Sequence, residues 1–138
     1  SHQSLLRPAL TWKARILLVR EIGAGRTISY GRTFTAPTTL RAAVLPIGYA
    51  DGLPRQISGQ GAAVLIGGRR CAILGRVTMD QVVVDVTEIP EVQLGDEAIL
   101  IGRQGEEEIL AGELASRAGT IAWHIFTGLG NRIKILNI

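Results

Sequence analysis

Cysteine occurs once, at Cys71, so no disulfide can form within the chain, and such usage leans toward a reducing compartment. Histidine occurs only at His2 and His124, and no Cys/His spacing fits a zinc site, so no metal is expected. The same shortage removes the base that a serine triad requires. Two Trp, two Tyr and two Phe are few rings for base stacking. No apolar run approaches the ~20 residues of a membrane helix, and no signal pattern opens the chain. Lysine is scarce as well: Lys13 and Lys134 stand against 13 arginines. The arginines that make the net charge of +3 are scattered, which describes a solvated surface better than a nucleic-acid footprint.

What is present suits one packed domain. Apolar residues make up 46% of 138, and 17 Gly with 5 Pro punctuate short segments. Ser1 and His2 read as the remnant of a cleaved tag. Positions 1–4 are therefore set aside as remnant or linker, and the folded unit is expected over 5–138.

Residues 14–22 (ARILLVREI) read as one strand, followed by a Gly23-Ala24-Gly25 turn and a short strand from Thr27 that ends at Gly31. Residues 40–47 read as a buried strand running into the turn-forming string Gly48-Tyr49-Ala50-Asp51-Gly52. Strands 62–66 and 71–74 flank Gly67-Gly68, a dipeptide suited to a primed hairpin turn. Strands follow at 81–86, apolar enough to be covered on both faces, and at 97–101. Helix is expected over 111–118, with Leu110, Leu114 and Ala118 on one face and Gly119 as its stop. Thr120 could cap a second helix through Phe126, and a last strand is expected over 132–138. The fold expected is mainly β: a barrel with Greek-key-like connections and one or two short helices near the C-terminus.

Chemistry is harder to find. Tyr30 and Tyr49 both lie beside glycines, a setting in which a ring is commonly just packed. Five strings carry more: LRPAL (6–10), ISYGRTFTAP (28–37), LPIGYADGLPR (45–55), ILGRVTMDQ (73–81) and LIGRQGEEEI (100–109). In this order and spacing they resemble the C-terminal domain of the alanine racemases, from about residue 5 to the end.

The resemblance implies a pyridoxal phosphate enzyme that interconverts L- and D-alanine for the cell wall in the cytoplasm. It also implies a homodimer in which this domain faces the cofactor mouth of the partner's N-terminal α/β barrel. That barrel, with the Schiff-base lysine, is absent from the chain; Lys13 and Lys134 sit in strand-like runs. The isolated domain is accordingly expected to be inactive. Tyr30 matches the base that takes the Cα proton from the L-isomer. Bringing a phenol from ~10 toward ~7 asks for about 4 kcal/mol, supplied in the family by cations of the partner's barrel.

Met79 matches the position whose backbone amide meets the substrate carboxylate, although a gap-filling core methionine is a rival reading. Tyr49, Arg55, Arg76 and Asp80 match residues along the corridor by which substrate enters; for Arg76 and Asp80 a structural ion pair is an equal reading. Trp123, in TIAWHIF, stands where most members have a tyrosine that bonds the cofactor phosphate, and indole N–H donates without accepting. The family's closing Arg-hydrophobic-Pro-Arg is Arg132-Ile133-Lys134-Ile135 here, without the proline. These departures leave open a racemase of serine or of broader specificity. A basic β-barrel that binds nucleic acid or another partner is the reading from a different class.

Overall fold

The computed structural model describes residues 8–28 and 33–137. Its strands are short and bounded by turn formers, as the glycine spacing dictates: β1 (Trp12–Arg15), β2 (Leu18–Ile22), β3 (Thr27–Ile28), β4 (Phe34–Thr35), β5 (Leu40–Leu45), β6 (Ala63–Ile66), β7 (Arg69–Leu74), β8 (Val82–Asp85), β9 (Glu97–Gln104) and β10 (Glu107–Ile109). Two helices close the order, α1 (Ala111–Ala118) and α2 (Ala122–Thr127).

One antiparallel sheet runs β1-β9-β6-β7-β8-β5-β2, with β10 also on β9, while β3 and β4 pair separately. Strands β6, β7 and β8 follow one another and β9 returns to lie beside β6, which is a Greek key. The two ends of the sheet, β1 and β2, are separated in the chain by Ile16 and Leu17 alone. Ile16 N–H donates to Asp96 O and Leu17 N–H to Val44 O, each at 2.9 Å. One stretch of chain thus serves β9 with its first half and β5 with its second. The sheet curls back on itself through the chain, without a ladder between β1 and β2.

Alternation decides what each strand buries. In β5, Ala43 and Leu45 enter the main core while Leu40 and Ala42 enter a second cluster under the β3–β4 hairpin. In β8, Val82 and Val84 face the main core and Val83 packs on the second cluster, so this strand is covered on both sides. Gly67 and Gly68 turn from β6 into β7 at φ 59° and 77°, values that suit glycine and make the primed turn. The long β8–β9 connection is stitched down by Arg41, which donates to the carbonyls of Ile89, Pro90 and Val92 at 3.2, 2.6 and 2.8 Å.

Helix α1 buries Ala111, Leu114 and Ala115. Arg70 of β7 grips its Glu113 with two hydrogen bonds of 2.8 and 2.9 Å, which holds the Glu113 carboxyl below its usual range. No helix of the described residues is long and apolar enough to cross a membrane.

Four sequence expectations need correction. The run 14–22 is two strands, because the chain changes partners at Ile16 and Leu17. Leu110 precedes α1 as an exposed N-cap rather than lining its buried face. Ile121, not Thr120, occupies the N-cap position of α2, with no side-chain capping bond. Residues 132–137 form no strand; the Ile133/Ile135 alternation finds no neighbouring ladder, and Ile135 is left 73% exposed.

Burial sets the scale of a stability test. Leu45 is fully buried and Leu94 is 68% exposed. Leu45→Ala is expected to cost about 3 kcal/mol by cavity formation, and Leu94→Ala less than about 0.5 kcal/mol. Chemical denaturation of the chain checks both, and equal losses would show that the β5 face does not carry the core.

Candidate functional site

The site grows from two turns pressed together. The first is a single 3-10 turn at Tyr49–Asp51, opened by Gly48 and following β5. The second spans 78–81 before β8; Thr78 N–H donates to Gln81 O, and Gln81 N–H returns to Thr78 Oγ1, both at 3.1 Å. Tyr49 N–H donates to Thr78 O at 2.9 Å and Ala50 N–H to Met79 O at 3.0 Å, which locks one turn to the other.

Gly48 is what permits that approach. A Cβ there would lie 2.2 Å from the Thr78 carbonyl oxygen and 2.4 Å from the Met79 carbonyl carbon, backbone atoms that cannot swing aside. The junction also carries charge. Asp51, 4% exposed, accepts from Gly48 N–H at 2.9 Å and takes Arg132 Nε and Nη2 in a two-pronged pair at 2.9 and 3.1 Å. Arg132 Nη1 reaches Asp80 Oδ1 at 2.6 Å and Nη2 reaches Met79 O at 3.4 Å. The pairs with Asp80 and Asp51 raise the guanidinium pKa above its ordinary value, Asp80 contributing most. Gly130 N–H donates to Asp51 O at 2.9 Å, so the chain after α2 is bound here too.

Above this junction Tyr49, Arg55, Arg76, Val77, Thr78 and Met79 line a groove of about 490 Å³. Arg55 comes from a 3-10 turn at Arg55–Ile57 and Arg76 from the β7–β8 connection. Tyr49 is 45% and Met79 52% exposed, so the packed-ring and core-methionine readings of these two fail. The Met79 N–H has no acceptor among the described residues.

The structure therefore brings together Tyr49, Arg55, Arg76 and Met79, with Asp80 beside them on the 78–81 turn. Asp80 is in an ion pair, and its partner is Arg132. Trp123 lies on α2, 72% exposed, its ring edge-on to Phe126 at 6.2 Å, and it does not line the groove. Tyr30 lies outside the described residues; Ile28, two positions before it, is buried and pairs with Phe34. Lys13 is on β1 in an ion pair with Glu97 at 3.1 Å, and Lys134 is exposed in the terminal stretch. Neither lies on the groove. Among the described residues no group of three His, Cys, Asp or Glu could hold a metal. Sequence reasoning missed Asp51 and reduced Arg132 to a letter in a closing string. The one signal for Asp51 was a carboxylate set among glycines directly after a buried strand.

The alanine racemase C-terminal domain model matches residues 9–136. The chain belongs to that family. It is 53% identical over 128 residues to the alanine racemase of Symbiobacterium thermophilum, covering 93% of this chain and 34% of that protein. It is 44% identical over 131 residues to an amino-acid racemase of Enterococcus faecalis, covering 95% of this chain and 18% of that protein. Among solved structures, alanine racemase from a D-cycloserine-producing Streptomyces lavendulae superposes with a TM-score of 0.88 at 41% identity, over 95% of this chain and 34% of that one. The chain thus spans about a third or less of the racemases it matches.

The junction makes a direct prediction. Gly48→Ala is expected to destabilise the chain by about 3 kcal/mol, the upper end of overpacking. Thermal or chemical unfolding reads the loss, and a cost below about 1 kcal/mol would mean that the two turns separate easily.

Proposed function

We propose that this chain is the C-terminal domain of a pyridoxal-dependent alanine racemase, acting on L- and D-alanine across a homodimer interface. The observation that carries the reading is the Met79 amide, without an acceptor among the described residues, on a groove that Met79 lines together with Arg55 and Arg76. An unpaired N–H fixed in a rigid turn, with two guanidinium groups nearby, suits a small carboxylate. The family match supplies the substrate class.

The chain's own residues fit a place beside the cofactor rather than its anchorage. Lys13 is engaged on a strand and Lys134 lies in the tail, so the anchoring lysine belongs to an N-terminal α/β barrel of the parent protein. Pyridoxal phosphate, when bound, serves as the electron sink that makes the substrate Cα proton acidic. Trp123 could donate its indole N–H to the phosphate, Met79 N–H holds the carboxylate, and Tyr49, Arg55, Arg76 and Asp80 line the approach. Tyr30 removes or returns the Cα proton on one face. A second base on the opposite face completes inversion.

This assignment requires the two isomers to respond differently to loss of Tyr30. In the full-length Tyr30→Phe protein, racemisation is expected to fall by on the order of 10²–10⁴, the worth of a positioned base. In heavy water, Cα exchange should persist for D-alanine and nearly vanish for L-alanine. Equal loss from both would indicate a collapsed site, and equal retention would reduce Tyr30 to a packed ring.

A second reading keeps the chemistry and changes the substrate to serine or a broader set of amino acids. Its motive is Trp123, which the resemblance sets in place of the family tyrosine, and one relative is named only as an amino-acid racemase. Trp123→Tyr in the full-length protein should then tighten cofactor binding or shift the alanine-to-serine ratio by roughly tenfold, about 1.4 kcal/mol. If neither moves, the broader reading loses its motive. The basic binding-module reading is not favoured, because the family match covers nearly the whole chain.

A further inference from the structure

Three segments distant in sequence meet at one guanidinium. Arg132 takes Asp51, at the end of the first turn, and Asp80, within the second, and it touches the Met79 carbonyl between them. We infer that Arg132 is a positioning residue for substrate carboxylate, holding the Met79 amide in place by tying the 78–81 turn to Asp51. This inference rests on the proposed function for its substrate; its mechanical half does not.

First, the 78–81 turn lies on the surface, where Met79 and Asp80 are exposed, so packing alone does little to fix it. Among the described residues, its ties to the rest of the molecule include the two backbone hydrogen bonds from Tyr49 and Ala50, and the Arg132 contacts. Second, Asp51 is a rigid anchor: it is buried, and its Oδ2 also accepts from Gly48 N–H at 2.9 Å. A guanidinium is a planar fork, so its two-pronged pair with Asp51 sets the direction of the remaining Nη1, which reaches Asp80. Third, a fixed donor amide binds an anion best when its direction is set in advance, since nothing then has to reorder on binding. Arg132 itself faces solvent and does not line the groove, so it acts through Met79 and not on the substrate.

The test uses the full-length protein with L-alanine and, as a probe of the carboxylate alone, propionate. In Arg132→Gln, KM for L-alanine and the inhibition constant for propionate are each expected to rise about tenfold, the scale of one weakened charge-assisted hydrogen bond. The kcat should change less than about threefold, because the reacting groups are untouched. Backbone hydrogen exchange in 78–81 should quicken about tenfold while that in β9 stays as in the parent. Arg132→Lys, which keeps the charge and loses the fork, should fall between the two. Asp80→Asn leaves the buried Asp51 pair whole and should give a smaller change in the same direction, so it serves if Arg132→Gln does not fold. A fall in kcat at constant KM, or unchanged exchange in 78–81 in both variants, would overturn the inference. Should the parent neither racemise alanine nor bind propionate, the proposed function fails; faster exchange at 78–81 would still uphold the anchoring and unchanged exchange would refute it.

Discussion

A buried carboxylate must find partners, and at Asp51 that requirement organises this end of the molecule. The group is 4% exposed, and a charge so placed costs several kcal/mol unless it is paired and hydrogen-bonded. Its ligands come from nearby and from far away: Gly48 N–H three residues back, and the guanidinium of Arg132, 81 positions on. Meeting that demand brings the tail behind α2 onto the turn after β5 and leaves Arg132 an arm for Asp80. The glycine at position 48 serves the same end, since any side chain there would drive the 78–81 turn away. Geometry and charge therefore act on the same few backbone atoms, those that present Met79.

How much of this was legible beforehand follows the range of the interactions. Features set by neighbours in sequence were readable: Gly67-Gly68 turns the β6–β7 hairpin with both φ positive, and Gly119 stops α1 in the left-handed region. The apolar run at 82–84 correctly signalled a strand covered on both faces. The five strings in order made the family visible.

Features set by distant partners were not readable. Nothing local tells that the chain leaves β9 for β5 at Ile16 and Leu17, because the apolar run Ile16-Leu17-Leu18-Val19 passes through the junction unbroken. Nothing local denies a ladder to 132–137 either; alternation is necessary for a strand, but a strand also needs an edge to join. Asp51 and Arg132 were hidden for the same reason. A charged residue in a turn is ordinarily solvated, and only a partner 81 residues away makes it otherwise.

The open face of the groove bears on why such a junction is worth its desolvation. In water, a lone amide donor gains little from a carboxylate, since hydration competes for both and the dielectric constant weakens each contact. The Met79 amide becomes a selective donor only when a second surface covers the groove and excludes that water. On the proposed reading, the partner's barrel is that cover. Two surfaces that meet in this way must each arrive already shaped, because any turn that reorders on docking subtracts its ordering entropy from substrate affinity. An exposed turn on a β scaffold is a poor candidate for rigidity by packing alone, and the Asp51–Arg132–Asp80 chain supplies by charge what burial cannot. The same reasoning explains why the chemistry sits at turns and the stability in strands. Leu45 and Val84 hold the sheet whether or not the groove is covered, while Tyr49 and Met79 stay exposed for whatever completes the site.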